Sequence, residues 1–228
     1  MAKGPVFPHE SPDHPAMTSS TDLAALLCSR LCHDLTSPVS ALGNGLELLA
    51  SEEDEAMRAH CLDLIGRSAA ASAARLRFFR LAFGAAAGIG EEVPLEEPRT
   101  VIAELAGQDG KIAVDWAAAP ATLPLVAVKV LLNLAAIGMD ALVRGGTLAV
   151  GAERGEAGTE IVVRAQGPRI AFGEDVARAL DGTLPDSERT SRVAPAALVR
   201  LLAVEQGGSV QHARADDMLL LGAMLPDG

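Results

Sequence analysis

Leu27, Leu31, Leu35, Pro38, Leu42, Leu46 and Leu49 recur three or four residues apart. At about 100° per residue they fall on one face of an α-helix. An apolar face this long has to be covered, which limits the possible folds more than any other feature of the chain. The spacing predicts a helix from about residue 21 to residue 50, roughly 45 Å long. Thr21-Asp22 supplies a capping side chain and an early acid, both favourable at a helix start. Gly43 and Gly45 should weaken its middle by about 1 kcal/mol each. Ser51, followed by Glu52, Glu53 and Asp54, marks the start of a second helix, predicted over about 52–84. There Leu62, Ile65, Ala69, Ser72, Leu76, Phe79 and Phe83 keep the alternating three- and four-residue spacing of a packed seam. The short link makes the pair an antiparallel hairpin. One hairpin leaves apolar stripes uncovered, whereas two hairpins pairing into a four-helix bundle cover both. A homodimer through residues 21–84 is therefore expected.

The opposite face of the first helix is polar. His33 lies about 160–200° from Leu31 and Leu35, and Ser29, Ser37, Ser40 and Asn44 share its side. A lone helical histidine is ordinarily a solvated surface residue. Here Asp34 follows it and Pro38 stands five residues on. Proline inside a helix removes a backbone hydrogen bond and costs about 3 kcal/mol. Such a cost beside an open histidine points to function.

His33-Asp34-Leu35-Thr36-Ser37-Pro38 resembles the H-box of the sensor-kinase dimerisation and histidine-phosphotransfer hairpin, usually written His-Glu-Leu-x-x-Pro. The longer run from Asp22 to Leu49 resembles the ChpT family of histidine phosphotransferases. The resemblance implies that His33 accepts and donates a phosphoryl group, and that Asp34 orients or deprotonates its imidazole. It implies a hybrid sensor kinase of the CckA type as donor, CtrA-like and CpdR-like response regulators as acceptors, and a role in the cell cycle. Mg²⁺ would then be supplied by the partner receiver domain, with no cofactor bound by this chain.

The rest of the sequence narrows the setting. With 19 basic and 30 acidic residues, the net charge is −11, which disfavours nonspecific nucleic-acid binding. No apolar run is long enough for a membrane span. Three cysteines, an odd number, read as reduced thiols in a cytoplasm. Cys28, Cys32, His33, His60 and Cys61 suggest a metal site, but the cysteines read better as small core hydrophobes. Residues 1–20 are rich in Pro, Ser, His and Thr and read as a disordered leader. Residues 85–98, with Gly88, Gly90, Pro94 and Pro98, read as a linker.

Beyond it the pattern alternates. Helices are predicted over 100–107, 123–143, 172–180 and 194–205. Strands are predicted over 111–117, 147–153, 160–165, 209–213 and 218–224. The expected class is α+β, a helical hairpin followed by an α/β sandwich over 99–228. That order resembles the ATP-binding domain of histidine kinases, with its motifs altered. Asn133 matches the first asparagine of the N-box, but the second, which in kinases helps to hold Mg²⁺, is Ile137. The adenine-reading Asp is Ala165 and a following glycine is Arg169. The glycine-rich lid reads Arg192-Val193-Ala194-Pro195-Ala196, without a glycine to present its N–H groups to phosphate. A working ATP site is not expected, and the domain is read as a docking surface.

Ser37, Ser40 and Asn44, on the His33 face, and the neighbouring cations Arg75 and Arg77 are candidate docking residues for an acidic receiver. The reading that best joins these features is a cytoplasmic histidine phosphotransferase in a multi-step phosphorelay. An ATP-dependent kinase with eroded motifs and a non-catalytic dimeric scaffold are the alternatives.

Overall fold

The computed structural model describes residues 20–84 and 92–226. The expected leader falls outside them except for Ser20, as do residues 85–91 of the expected linker. Helices α1 (Ser20–Ser51) and α2 (Glu55–Phe83) form the hairpin. The second helix starts later than predicted. The Ser51 hydroxyl turns back onto the Leu48 carbonyl, so α1 runs through it, and Asp54 is the cap. Its side chain accepts from the Met57 N–H at 2.9 Å, satisfying one of the free amides of the first turn.

Gly45 is more than a weak point in α1. A Cβ there would stand 2.8 Å from Cγ1 of Ile65, inside normal carbon–carbon separation, so this glycine lets the two helices touch. Gly43 faces open space.

The predicted seam of α2 is divided. Phe79 is buried, but Leu62 and Leu76 are 57% and 52% exposed. Cys61 and Ser68 are buried near one edge of that seam, and Ala74 and Phe78 almost half a turn from it, so burial does not follow the single stripe. Packing of the cysteines also departs from expectation: Cys61 is buried, but Cys28 and Cys32 are exposed. Together with Val39 they lie beside the leucine stripe, on the same side as its own exposed Leu46.

The second unit begins inside the stretch expected to be a linker, with β1 (Glu92–Pro94) and α3 (Glu96–Gly107). Pro98 reads as punctuation, yet it sits in the first turn of α3, where no amide partner is needed. β1 pairs antiparallel with β3 (Thr122–Pro124), of which Leu123 and Pro124 read from sequence as the start of the next helix. Then follow β2 (Ile112–Trp116), α4 (Leu125–Ala141), β4 (Gly146–Gly155), β5 (Gly158–Gln166), α5 (Glu174–Asp181), α6 (Ala194–Glu205), β6 (Ser209–Arg214) and β7 (Met218–Leu225). The main sheet runs β2-β4-β5-β7-β6. Val114 opposite Leu148 sets the parallel β2–β4 pair, and the other neighbours are antiparallel. The chain is therefore α+β, a hairpin followed by an α/β sandwich.

Helix α4 is apolar on nearly every side because it is covered on nearly every side. Val128, Leu131, Leu132 and Leu134 have no exposed surface. A Cβ at Gly138 would stand 2.7 Å from Cδ1 of Leu148, so its glycine lets the helix lie close on the sheet. The hairpin joins this core through the last turns of α2. Phe78, Phe79, Leu81 and Ala82 belong to the same apolar cluster as α4, and Arg77 and Arg80 pair with Glu104 and Glu97 of α3. The polar face of α1 is thereby held beside the second unit. No helix among the described residues is long and apolar enough to cross a membrane.

Candidate functional site

His33 projects from the middle of α1 with 82% of its side chain exposed. Its Nδ1 lies 3.0 Å from Oδ1 of Asp34. A carboxylate only accepts, so the bond requires a proton on Nδ1. In the neutral ring Nε2 then keeps its lone pair, and it has no partner among the described residues. That is the arrangement of a nucleophile oriented by an adjacent acid.

Asp34 is itself held. Arg30, one turn earlier, donates from Nε to Asp34 Oδ2 at 2.7 Å and from Nη2 to Asp140 Oδ2 at 2.8 Å. Burial works against the charge of Arg30, but the attraction of Asp140 and the hydrogen bonds to Asp34 and Asp140 outweigh it. The guanidinium pKa is held above the ordinary arginine value. The Arg30 side chain is only 17% exposed, whereas Asp140 is 58% exposed. Stripping a buried charge of its partner costs about 3–5 kcal/mol. Removing Asp140 still leaves Arg30 its bond to Asp34, so the exposed carboxylate is the end of this network that can be altered with the guanidinium still paired.

A cleft of about 490 Å³ opens between His33, Arg30, Ile137, Phe172, Arg192 and Pro195. A second recess places Ser37 and Arg75 with His33, Asp34 and Phe79. Of the residues singled out from sequence, His33, Asp34, Ser37 and Arg75 thus come together. Ser40 and Asn44 are exposed further along α1, and neither lines these clefts. Arg75 and Arg77 separate in role, because Arg77 is engaged by Glu104, while Arg75 has no ion pair among the described residues.

Arg30 and Asp140 were missed by the sequence reading. The i, i+4 spacing of Arg30 and Asp34 was a visible signal. Nothing local marks Asp140, which is 110 residues from Arg30.

Of the positions aligned with nucleotide motifs, Asn133, Ile137 and Ala165 are enclosed, whereas Arg169 and Arg192 are exposed. Asn133 has no exposed surface. Its amide donates to the Lys129 carbonyl at 2.8 Å, and its Oδ1 has no partner. Ile137 is 8% exposed and Ala165 fully buried. The stretch aligned with the lid forms the entry of α6, with Pro195 in its first turn. Among the described residues no three of His, Cys, Asp and Glu gather as a metal site.

Residues 95–218 match the model of the histidine phosphotransferase C-terminal domain. The protein phosphotransferase ChpT of Brucella abortus (strain 2308) is 36% identical over 206 residues, 90% of this chain and 97% of that protein. The chain belongs to the ChpT family of histidine phosphotransferases. A solved bacterial phosphotransferase superposes with a TM-score of 0.80 at 33% identity, covering 92% of this chain and 98% of the other. This phosphotransferase therefore has a family membership that spans both hairpin and sandwich, and its chemistry is transfer of phosphoryl groups within a phosphorelay.

Proposed function

We propose that His33 is the phosphoacceptor, taking a phosphoryl group from the receiver domain of a CckA-like hybrid histidine kinase. It passes that group to CtrA-like and CpdR-like response regulators that control the cell cycle. The observation that carries this reading is the pairing of Nδ1 with Asp34, which leaves Nε2 as the open lone pair of a ring 82% exposed. Nε2 attacks phosphorus, the bond to the receiver's aspartyl oxygen breaks, and the carboxylate leaves with its electron pair. The proton on Nδ1 stays between the ring and Asp34 Oδ1, so the positive charge gained by the ring is met by a carboxylate. Return to a second receiver is the reverse. In-line transfer of this kind depends mainly on positioning and charge neutralisation.

Mg²⁺ belongs to the acidic pocket of the receiver, and Arg75, Ser37, Ser40 and Asn44 form the surface it meets. The transfer takes place in the cytoplasm, and the working form is a homodimer paired through the hairpins. Helix faces support the dimer: Val39, Leu46, Leu48, Leu62 and Leu76 are each more than half exposed on one chain.

Incubation with a phosphorylated hybrid-kinase receiver tests the reading. Wild type should gain acid-labile, alkali-stable phosphate, and His33→Gln should gain none while unfolding within about 0.5 kcal/mol of wild type, as for an exposed site. Label persisting on a folded His33→Gln protein would move the chemistry elsewhere.

A further inference from the structure

We infer that Arg30, clamped by Asp140, is a positioning residue for phosphotransfer, through which helix α4 sets the orientation and tautomer of the His33 ring. The inference rests on His33 being the phosphoacceptor and concerns how the second unit acts on it.

Asp34 has two oxygens, and each is committed. Oδ1 takes the Nδ1 proton of His33, and Oδ2 takes Nε of Arg30. Rotation of the carboxylate breaks one bond or the other, so the ring is only as steady as Arg30. An arginine alone on a helix face has many rotamers. This one is fixed at its far end by Asp140 Oδ2 on Nη2. Two nitrogens of one planar guanidinium thus bridge carboxylates from two units, a geometry that a lysine does not reproduce.

A plain strut between the units is the competing account. The hairpin is already tied down through α2, by Phe78, Phe79 and Ala82 in the common core and by two ion pairs to α3. The Arg30 bridge differs from those ties in where it ends, on the carboxylate that holds the reacting ring.

The chemistry follows from the tautomer. A neutral imidazole free in water prefers its proton on Nε2, the nitrogen that has to attack. A fixed Asp34 reverses that preference and keeps the Nε2 lone pair available. It also stands ready for the positive charge that develops as the P–N bond forms. With the clamp removed, Asp34 is free to swing away, and the ring returns to its ordinary tautomer.

The test compares wild type with Asp140→Ala, Asp140→Asn, Arg30→Gln and Arg30→Lys. Single-turnover transfer from the phosphorylated receiver is followed over receiver concentration, and ¹⁵N NMR of the imidazole reports the tautomer in the protein alone. Asp140→Ala should lower the maximal rate about tenfold, a fraction of what a positioned acid–base group contributes. Its half-saturating receiver concentration should stay unchanged, and the ring should shift toward the Nε2–H form. Asp140→Asn, which keeps an oxygen for Nη2, should recover part of the rate. Arg30→Lys should behave like Arg30→Gln. Unchanged ¹⁵N shifts in Asp140→Ala, or a loss confined to half-saturation, would overturn the positioning role in favour of a strut or docking contact. Phosphate still accepted by His33→Gln would instead defeat the assignment of the phosphoacceptor, a result separable from the NMR readout.

Discussion

The sandwich covers most of its apolar residues within one chain, leaving Val143 and Val204 more than half exposed, and the hairpin leaves a larger share of its own open. Leu131, Leu132, Leu148 and Leu219 have no exposed surface, whereas Leu46, Leu48 and Leu62 of the hairpin are more than half exposed. Composition contributes, since α2 mixes more charge with its apolar residues than α4 does, but it does not explain why the hairpin's leucines stay open. The difference lies in how many neighbours one chain supplies. Helix α4 has a sheet on one side and α2, α3 and α6 on others. α1 has α2 along one flank and meets the second unit through α6 and the Arg30–Asp140 bridge to α4. A helix pair has too few faces to enclose itself, and its remaining surface serves partners: an apolar flank for a second copy, a polar flank with His33 for receivers.

The largest expected effect sharpens this contrast. Leu131→Ala removes a fully buried side chain and should cost about 2–5 kcal/mol, measured by denaturant unfolding. Leu62→Ala, on the open hairpin flank, should cost little at high dilution and more as protein concentration rises, because association contributes to stability by mass action. Equal, concentration-independent losses at the two positions would erase the distinction between the units.

A smaller effect breaks the hairpin's side of it. Light scattering at micromolar concentration should give about twice the 23.5 kDa chain mass, and the double variant Leu46→Asp with Leu62→Asp should return one chain mass. A charge on an apolar interface leaves an unpaired, desolvated group. Near-UV signals from Trp116, in β2, should persist in that variant. A wild-type monomer would remove the four-helix bundle from this account.

The same contrast explains what was legible in the sequence. Helix period and strand alternation exposed nearly every long element, because one burial pattern dominates each. α6 was read at its observed bounds, Ala194–Glu205. The failures have three physical sources. β1 and β3 have only three residues each, too few for a period to appear. Pro98 reads as a linker signal in sequence, although proline is equally at home in a helix's first turn. Finally, the seam of α2 was read as one stripe, although the helix serves two clients. Its inward face meets α1 and the sandwich, while Leu62 and Leu76 face outward. At the site, His33, Asp34, Ser37 and Pro38 are contiguous and were visible together. Asp140 belongs to the site only because α4 is held against the sheet, partly through Gly138, and no local pattern carries that information.

The smallest expected signal is a null one, and it probes the sandwich's side of the contrast. A unit that closes its core so completely has little left to offer a nucleotide. Asn133 points its amide back into its own helix. Ile137 presents carbon where a hard cation asks for oxygen ligands. Ala165 lies fully buried on β5, with no side-chain oxygen to read an adenine amino group. Val193 to Ala196 form the buried entry of α6, and Pro195 has no N–H to give a phosphate. Calorimetric titration of the full chain with Mg-ATP to millimolar concentration should therefore show no saturable heat, and incubation with labelled ATP alone should leave the protein unlabelled. A dissociation constant of about 100 µM or tighter, roughly −5.5 kcal/mol, together with self-labelling, would make the sandwich a catalytic partner of His33. The contrast between a closed unit and an open one would then have to be redrawn around a nucleotide site.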